Sequence, residues 1–151
     1  SDEFVSYVNA SRLFAKRGIQ FEIAHEDSFD TKTSILVELR GTRENEVVSV
    51  GGVLYDMDTL RLSSINEFLF EIEVEGELIV MQNHDRPGFI GAVGTYLAQH
   101  NVNIAQFELS RNKRGGLAMS LIRIDGDSTR DLVLGLQQLP NLISVRVISG
   151  L

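Results

Sequence analysis

The apolar positions of this chain switch between two periods along its length. Ile35, Val37 and Leu39 fall on every second residue, as do Phe70, Ile72 and Val74, the pattern of strands with one buried face. This predicts strands over residues 34–40, 46–54 and 68–74, with a turn and a further short strand between 55 and 66. Ahead of them, residues 2–17 read as a helix. Phe4, Val5, Val8 and Leu13 form its apolar side, Lys16 and Arg17 suit the negative end of its dipole, and Gly18 is a natural cap. Residues 19–23 read as a short strand and 25–33 as a polar loop.

From residue 77 the pattern sharpens. Leu78-Ile79-Val80-Met81 is an unbroken apolar run, which predicts a central strand. A helix is expected over 87–99, with Pro87 in its first turn and Ile90, Val93 and Leu97 on one face. Asn101 can take a left-handed cap. Strands follow over 102–110 and 117–125, joined by a polar loop that ends in Gly115-Gly116. Leu132, Val133, Leu136 and Leu139 predict a helix over 129–139, capped by Ser128 or Thr129 and stopped by Pro140, and 142–148 is the closing strand. Strand, helix, strand, strand, helix, strand is the split βαβ, ferredoxin-like order: a four-stranded antiparallel sheet with both helices on one face. The class is α+β, and two small domains are expected, 1–75 and 76–151, with the boundary where the acidic run Glu71-Ile72-Glu73-Val74-Glu75 meets Gly76.

Charge divides the chain at the same place. Residues 1–76 hold 15 acidic and 7 basic side chains, net −8, while residues 77–151 hold 6 acidic and 7 basic, net +1. Neither part carries a basic stripe, which argues against nucleic-acid partners. No apolar run approaches the ~20 residues of a membrane span, so no membrane partner is expected. The 151 residues include no cysteine, which removes disulfides and thiolate metal sites and suits the cytoplasm.

The residues that invite chemistry lie at 83–89. A helix start presents free backbone N–H groups to an anion, and Asp85 beside it can take an ammonium group; together they match an α-amino acid. The alternative is that Asp85 caps the helix. Gly88, Gly91 and Gly94 recur every third residue, which does not fit G-x-G-x-x-G and disfavours NAD binding; close helix packing is the expected reason for them. His25, His84 and His100 lack metal spacing, and neither a catalytic constellation nor a metal site is expected.

The run His84-Asp85-Arg86-Pro87-Gly88-Phe89-Ile90-Gly91, followed by Asn101-Val102-Asn103-Ile104-Ala105, resembles the ACT-domain signature of D-3-phosphoglycerate dehydrogenases. Tyr7-Val8-Asn9-Ala10, Ala15-Lys16-Arg17-Gly18-Ile19 and Ser49-Val50-Gly51-Gly52-Val53-Leu54 resemble the segment between the catalytic and ACT domains in the long forms of that enzyme. The resemblance implies a regulatory piece with no cofactor of its own, NAD being held by the parent's catalytic domains. It implies that L-serine or another small amino acid binds as a feedback effector in the serine pathway, at Asn83, Asp85 and Asn103, with Arg86, Pro87, Gly88 and Phe89 completing the site. At Asn83 the family often has histidine or tyrosine. The anion site of the intervening domain is not expected here, because the matching stretch is Glu71-Ile72-Glu73. In the split βαβ order Asp85 and Asn103 sit at opposite ends of the sheet, so a shared ligand implies a homodimer through ACT sheet edges. The alternatives are the regulatory region of an iron–sulfur L-serine dehydratase and a dimerisation module that binds nothing small.

Overall fold

The computed structural model describes residues 8–20, 22–23, 33–42, 46–55 and 59–149. The chain divides into two compact units, Ser1–Thr31 and Lys32–Leu151. In the first, helix α1 spans Ala10–Lys16 and buries Leu13. It ends as its sequence suggests. Gly18 takes φ 70° and its N–H bonds to the Ala15 carbonyl, while the Ile19 N–H reaches Phe14. Its start differs from the expected one. Val8 lies in a turn and is 95% exposed, and residues 2–7 lie outside the described residues. Among residues 19–23 the described ones, 19–20 and 22–23, carry no strand. Of the loop expected over 25–33, only Thr33 is described, and it opens the first strand.

The second unit holds two sheets. β1 (Thr33–Arg40), β2 (Val47–Tyr55), β3 (Thr59–Ile65) and β4 (Phe68–Glu73) form an antiparallel meander in that order. The short strand expected between 55 and 66 is thus a full seven-residue strand. Asn66, at φ 50°, turns β3 into β4, and it exchanges two hydrogen bonds with the backbone of Ser49: its N–H to the carbonyl at 2.8 Å, and the Ser49 N–H to its side-chain oxygen at 3.0 Å. Gly51 is required by close approach, because a Cβ there would overlap the Ser64 hydroxyl at a bulge between β2 and β3.

β5 (Glu77–His84), α2 (Phe89–Gln99), β6 (Ile104–Arg111), β7 (Leu117–Ile124), α3 (Arg130–Leu136) and β8 (Leu142–Ile148) follow in the predicted order. The sheet runs β6-β7-β5-β8 with every pair antiparallel, the ferredoxin-like arrangement, so the chain is α+β as its pattern indicates. The change of sheet falls at residues 74–76, although both sheets belong to one compact unit.

Alternate residues of β5 enter two different cores. Ile79 and Met81 join Phe89, Val93 and Leu97 of α2, Ile122 and Ile124 of β7, Leu132 and Leu136 of α3, and Val145 of β8. Leu78 faces the other way and packs with Met119 and Leu121 of β7 against Phe68, Phe70 and Ile72 of β4. The unbroken apolar run therefore reflects burial on both faces as well as a central place. Hydrogen bonds fasten β4 over the sheet: the Leu69 N–H donates to Ser110 Oγ at 3.0 Å and Gln106 Nε2 donates to the Glu71 carbonyl at 3.1 Å.

Two local expectations change, and one open alternative closes. α2 begins at Phe89, not Pro87, with Gly88 at φ 91° as its N-cap; that left-handed residue, directly after the proline, cannot belong to the helical run. Nothing lies within 4 Å of where a Cβ would stand at Gly91 or Gly94, so close packing inside the chain does not explain them. The close approach is at Gly135 of α3, where a Cβ would overlap the Tyr96 phenol of α2. Of the two candidate caps for α3, Thr129 serves, its Oγ1 accepting from the Leu132 N–H at 3.2 Å, while Ser128 Oγ donates to Glu77 at 2.6 Å.

Ile72 is fully buried between the sheets and Leu69, on the other face of β4, is 73% exposed. Replacing Ile72 by Ala is expected to lower stability by about 2–5 kcal/mol in a denaturant titration. Leu69→Ala should change it by less than about 0.5 kcal/mol. Equal effects would mean that β4 does not pack on the sheet through its even-numbered residues.

Candidate functional site

The end of β5 and the hairpin between β6 and β7 meet at one end of the second sheet. His84 pairs with Leu117 in the ladder, and Arg111 with Ala118, so residues 85–88 come to lie beside the hairpin turn at 112–116. The backbone is held from two sides, with the His84 N–H donating to the Asn141 carbonyl and the Asp85 N–H to Gly116, each at 2.9 Å. The Asp85 side chain then grips the hairpin. Its Oδ2 accepts from the Gly115 N–H at 2.8 Å and from Arg111 Nη1 at 3.2 Å. Asp85 Oδ1 has no partner among the described residues.

Those contacts favour the ionised carboxylate. The Gly115 amide above all, and Arg111 after it, hold the Asp85 carboxyl below the usual carboxylate range against the opposing effect of partial burial. Asp85 therefore does not cap α2. The N-cap is Gly88, which has no side chain to accept from the helix, and the first helical bond runs from the Ala92 N–H to the Gly88 carbonyl. Of the amides ahead of it, that of Phe89 turns back to the Arg86 carbonyl at 3.4 Å, which leaves those of Ile90 and Gly91 as the free donors of the helix start.

A cleft of about 440 Å³ opens over this helix start. Asp85, Arg86, Pro87 and Gly88 form one wall, Ile90 and Gly91 the helix side, and Arg111, Arg114 and Gly115 the hairpin side. Of the residues expected to bind, the structure brings together Asp85, Arg86, Pro87 and Gly88. Phe89 opens the helix, but its ring is buried in the helix-side core. Asn83 is 1% exposed, its Nδ2 donating to the His84 carbonyl at 2.9 Å and its Oδ1 unpartnered. Asn103 lies at the far end of the sheet, beside Asp125, to which its Nδ2 donates at 2.6 Å. Between the two ends β6 runs its whole length, roughly 24 Å at ~3.4 Å per residue.

Arg111, Arg114 and Gly115 gain a place that the sequence reading does not give them. The signal that points to them is the run Arg111-Asn112-Lys113-Arg114, three basic residues in four within a chain of net charge −7. In the first sheet the arginines are otherwise occupied. Arg61 donates to Glu71 at 2.8 Å and to Glu73 at 3.2 Å and lies over the Tyr55 ring, and Arg40 pairs with Glu38. Arg43 lies outside the described residues. No group of three or more metal-ligating side chains occurs among the described residues.

Because the folded Asp85 titrates below its unfolded value of about 3.9, its contribution to stability is complete above that value and is lost as pH falls through the lowered folded value. Carboxyl NMR should place the Asp85 midpoint below about 3.9. Arg111→Gln should raise it only part of the way, since the Gly115 amide remains. A midpoint at or above the ordinary value would overturn the grip on the hairpin.

Residues 78–141 match the family described as ACT domain. The D-3-phosphoglycerate dehydrogenase of Mycobacterium tuberculosis (strain ATCC 25618 / H37Rv) is 32% identical over 133 residues, which cover 87% of this chain and 25% of that protein. The enzyme of the same name from Bacillus subtilis (strain 168) is 29% identical over 150 residues, 97% of this chain and 28% of its own length. That of Methanocaldococcus jannaschii is 23% identical over 145 residues, 96% and 27%. The chain thus spans about a quarter of the length of the curated relatives it matches. It is an ACT-domain-bearing relative of the D-3-phosphoglycerate dehydrogenases.

Proposed function

We propose that this chain is the amino-acid-sensing region of a D-3-phosphoglycerate dehydrogenase, working in the cytoplasm and binding L-serine as a feedback effector between two copies of its ACT domain. The observation that carries this reading is Asp85: an ionised carboxylate with one free oxygen, held beside an uncapped helix start in an arginine-lined cleft. An α-amino acid fits that pairing. Its ammonium group meets Asp85 Oδ1 and its carboxylate meets the α2 amides or a guanidinium.

The need for two copies follows from the sheet. A serine molecule cannot span the roughly 24 Å between Asp85 and Asn103 of one chain. β6 is the edge strand of the order β6-β7-β5-β8, with its outer backbone groups open for pairing. A two-fold pair joined there sets Asp85 of each copy against Asn103 of the other and makes two equal sites. The second hydrogen of Asn103 Nδ2, the first being given to Asp125, is the group offered to the ligand. Nicotinamide chemistry belongs, on this reading, to catalytic domains of the parent protein.

In calorimetry L-serine is expected to give saturable heat, and NAD none, since the sequence has no dinucleotide-binding glycine pattern. Asp85→Ala and Asn103→Ala should each abolish serine binding, while a mixed dimer with one substitution per subunit keeps one intact site. A mixed dimer that binds no serine, or a monomer in ultracentrifugation that does, would show that the site is not shared. No heat with any amino acid leaves a dimerisation module.

A further inference from the structure

The cleft holds more positive charge than a neutral amino acid can use. Three guanidinium groups, Arg86, Arg111 and Arg114, line it against the single carboxylate of Asp85. Arg111 is paired to that carboxylate, but Arg86 and Arg114 have no hydrogen-bond or ion-pair partner among the described residues. This contrasts with Arg61 and Arg123, which sit between Glu71, Glu73 and Glu75 in the same unit. The chain as a whole is acidic, so two arginines without an ion pair in one cleft run against its general charge, even with Arg86 inside the field of Asp85.

We infer that the cleft prefers an α-amino acid whose side chain carries its own anion, a phosphorylated hydroxy amino acid above all, over a neutral one. The inference rests on the amino-acid reading of the cleft and concerns what lies beyond the α-carbon. With the ammonium group on Asp85 Oδ1 and the α-carboxylate on one guanidinium or the helix amides, a serine leaves the other free arginine facing a hydroxyl. A phosphate or carboxylate in place of that hydroxyl gives the planar fork a two-point partner. At about 440 Å³ the space lies in the range that takes whole small molecules rather than a lone ion. Gly91, with no atom within 4 Å of where its Cβ would be, leaves the helix side open to a longer side chain. If a second copy brings its Asn103 to the cleft, the Asp125 bonded to it arrives too, and the balance stays positive by one charge.

Calorimetry on the full chain would compare O-phospho-L-serine, L-aspartate, L-serine and inorganic phosphate at low and high salt. O-phospho-L-serine is expected to bind about tenfold more tightly than L-serine, with L-aspartate between them. That advantage should shrink with added salt, because exposed guanidinium groups are screened. Arg114→Gln and Arg86→Gln, both at exposed positions, should bring the ratio of the two affinities toward one, with the far-UV spectrum unchanged. Serine binding as tightly as its phosphate ester, or an affinity ratio untouched by both substitutions, overturns the inference and leaves the amino-acid reading standing. Inorganic phosphate binding with no heat from either serine or its ester overturns both.

Discussion

Everything in the second unit depends on β5 having no polar face. Its residues 78–81 are all apolar, and a strand sends successive side chains to opposite sides of its sheet. Both sides must then be covered. α2 and α3 cover Ile79 and Met81, and β4 covers Leu78. An antiparallel sheet of this size often leaves one face to water; this one is enclosed because a neighbouring sheet lends it Phe68, Phe70 and Ile72. β4 alternates cleanly between those three and the exposed Leu69 and Glu71, so one strand serves as the lid of the second sheet and the last strand of the first.

With β5 fixed, the ends of the sheet are fixed, and with them the cleft. The ladder delivers residue 85 beside the β6–β7 turn without any freedom of register, because a slip by one residue would exchange the two cores. Asp85 then converts proximity into a shaped wall by holding the Gly115 amide and Arg111. The same carboxylate that positions the hairpin keeps one oxygen free, so a single residue both builds the cleft and presents its acceptor.

The two sheets treat arginine in opposite ways. On the first sheet and at its border, Arg61 and Arg123 are bracketed by Glu71, Glu73 and Glu75, a run of alternating carboxylates that leaves no net positive potential for an anion. At the helix start of the second sheet, Arg86 and Arg114 make no ion pair among the described residues, and Arg86 senses Asp85 only through space. Local potential therefore follows the local pairing of charges and not the chain's net charge.

The sequence by itself determined the ferredoxin-like order, most strands to within a residue or two, and the left-handed turn at Asn101. These are legible because period, cap and turn chemistry are local properties. It also determined that Asp85 and Asn103 stand at opposite ends of one sheet, since strand polarity follows from connectivity alone. Only the tertiary structure decided that Asp85 holds a hairpin instead of capping α2, that Asn83 and the Phe89 ring face inward, and that Gly91 and Gly94 look onto open space while Gly135 receives Tyr96. It alone added Arg111 and Arg114 to the cleft. Those outcomes turn on which side chains meet across 26 to 39 residues of intervening chain, and no local period encodes such a meeting.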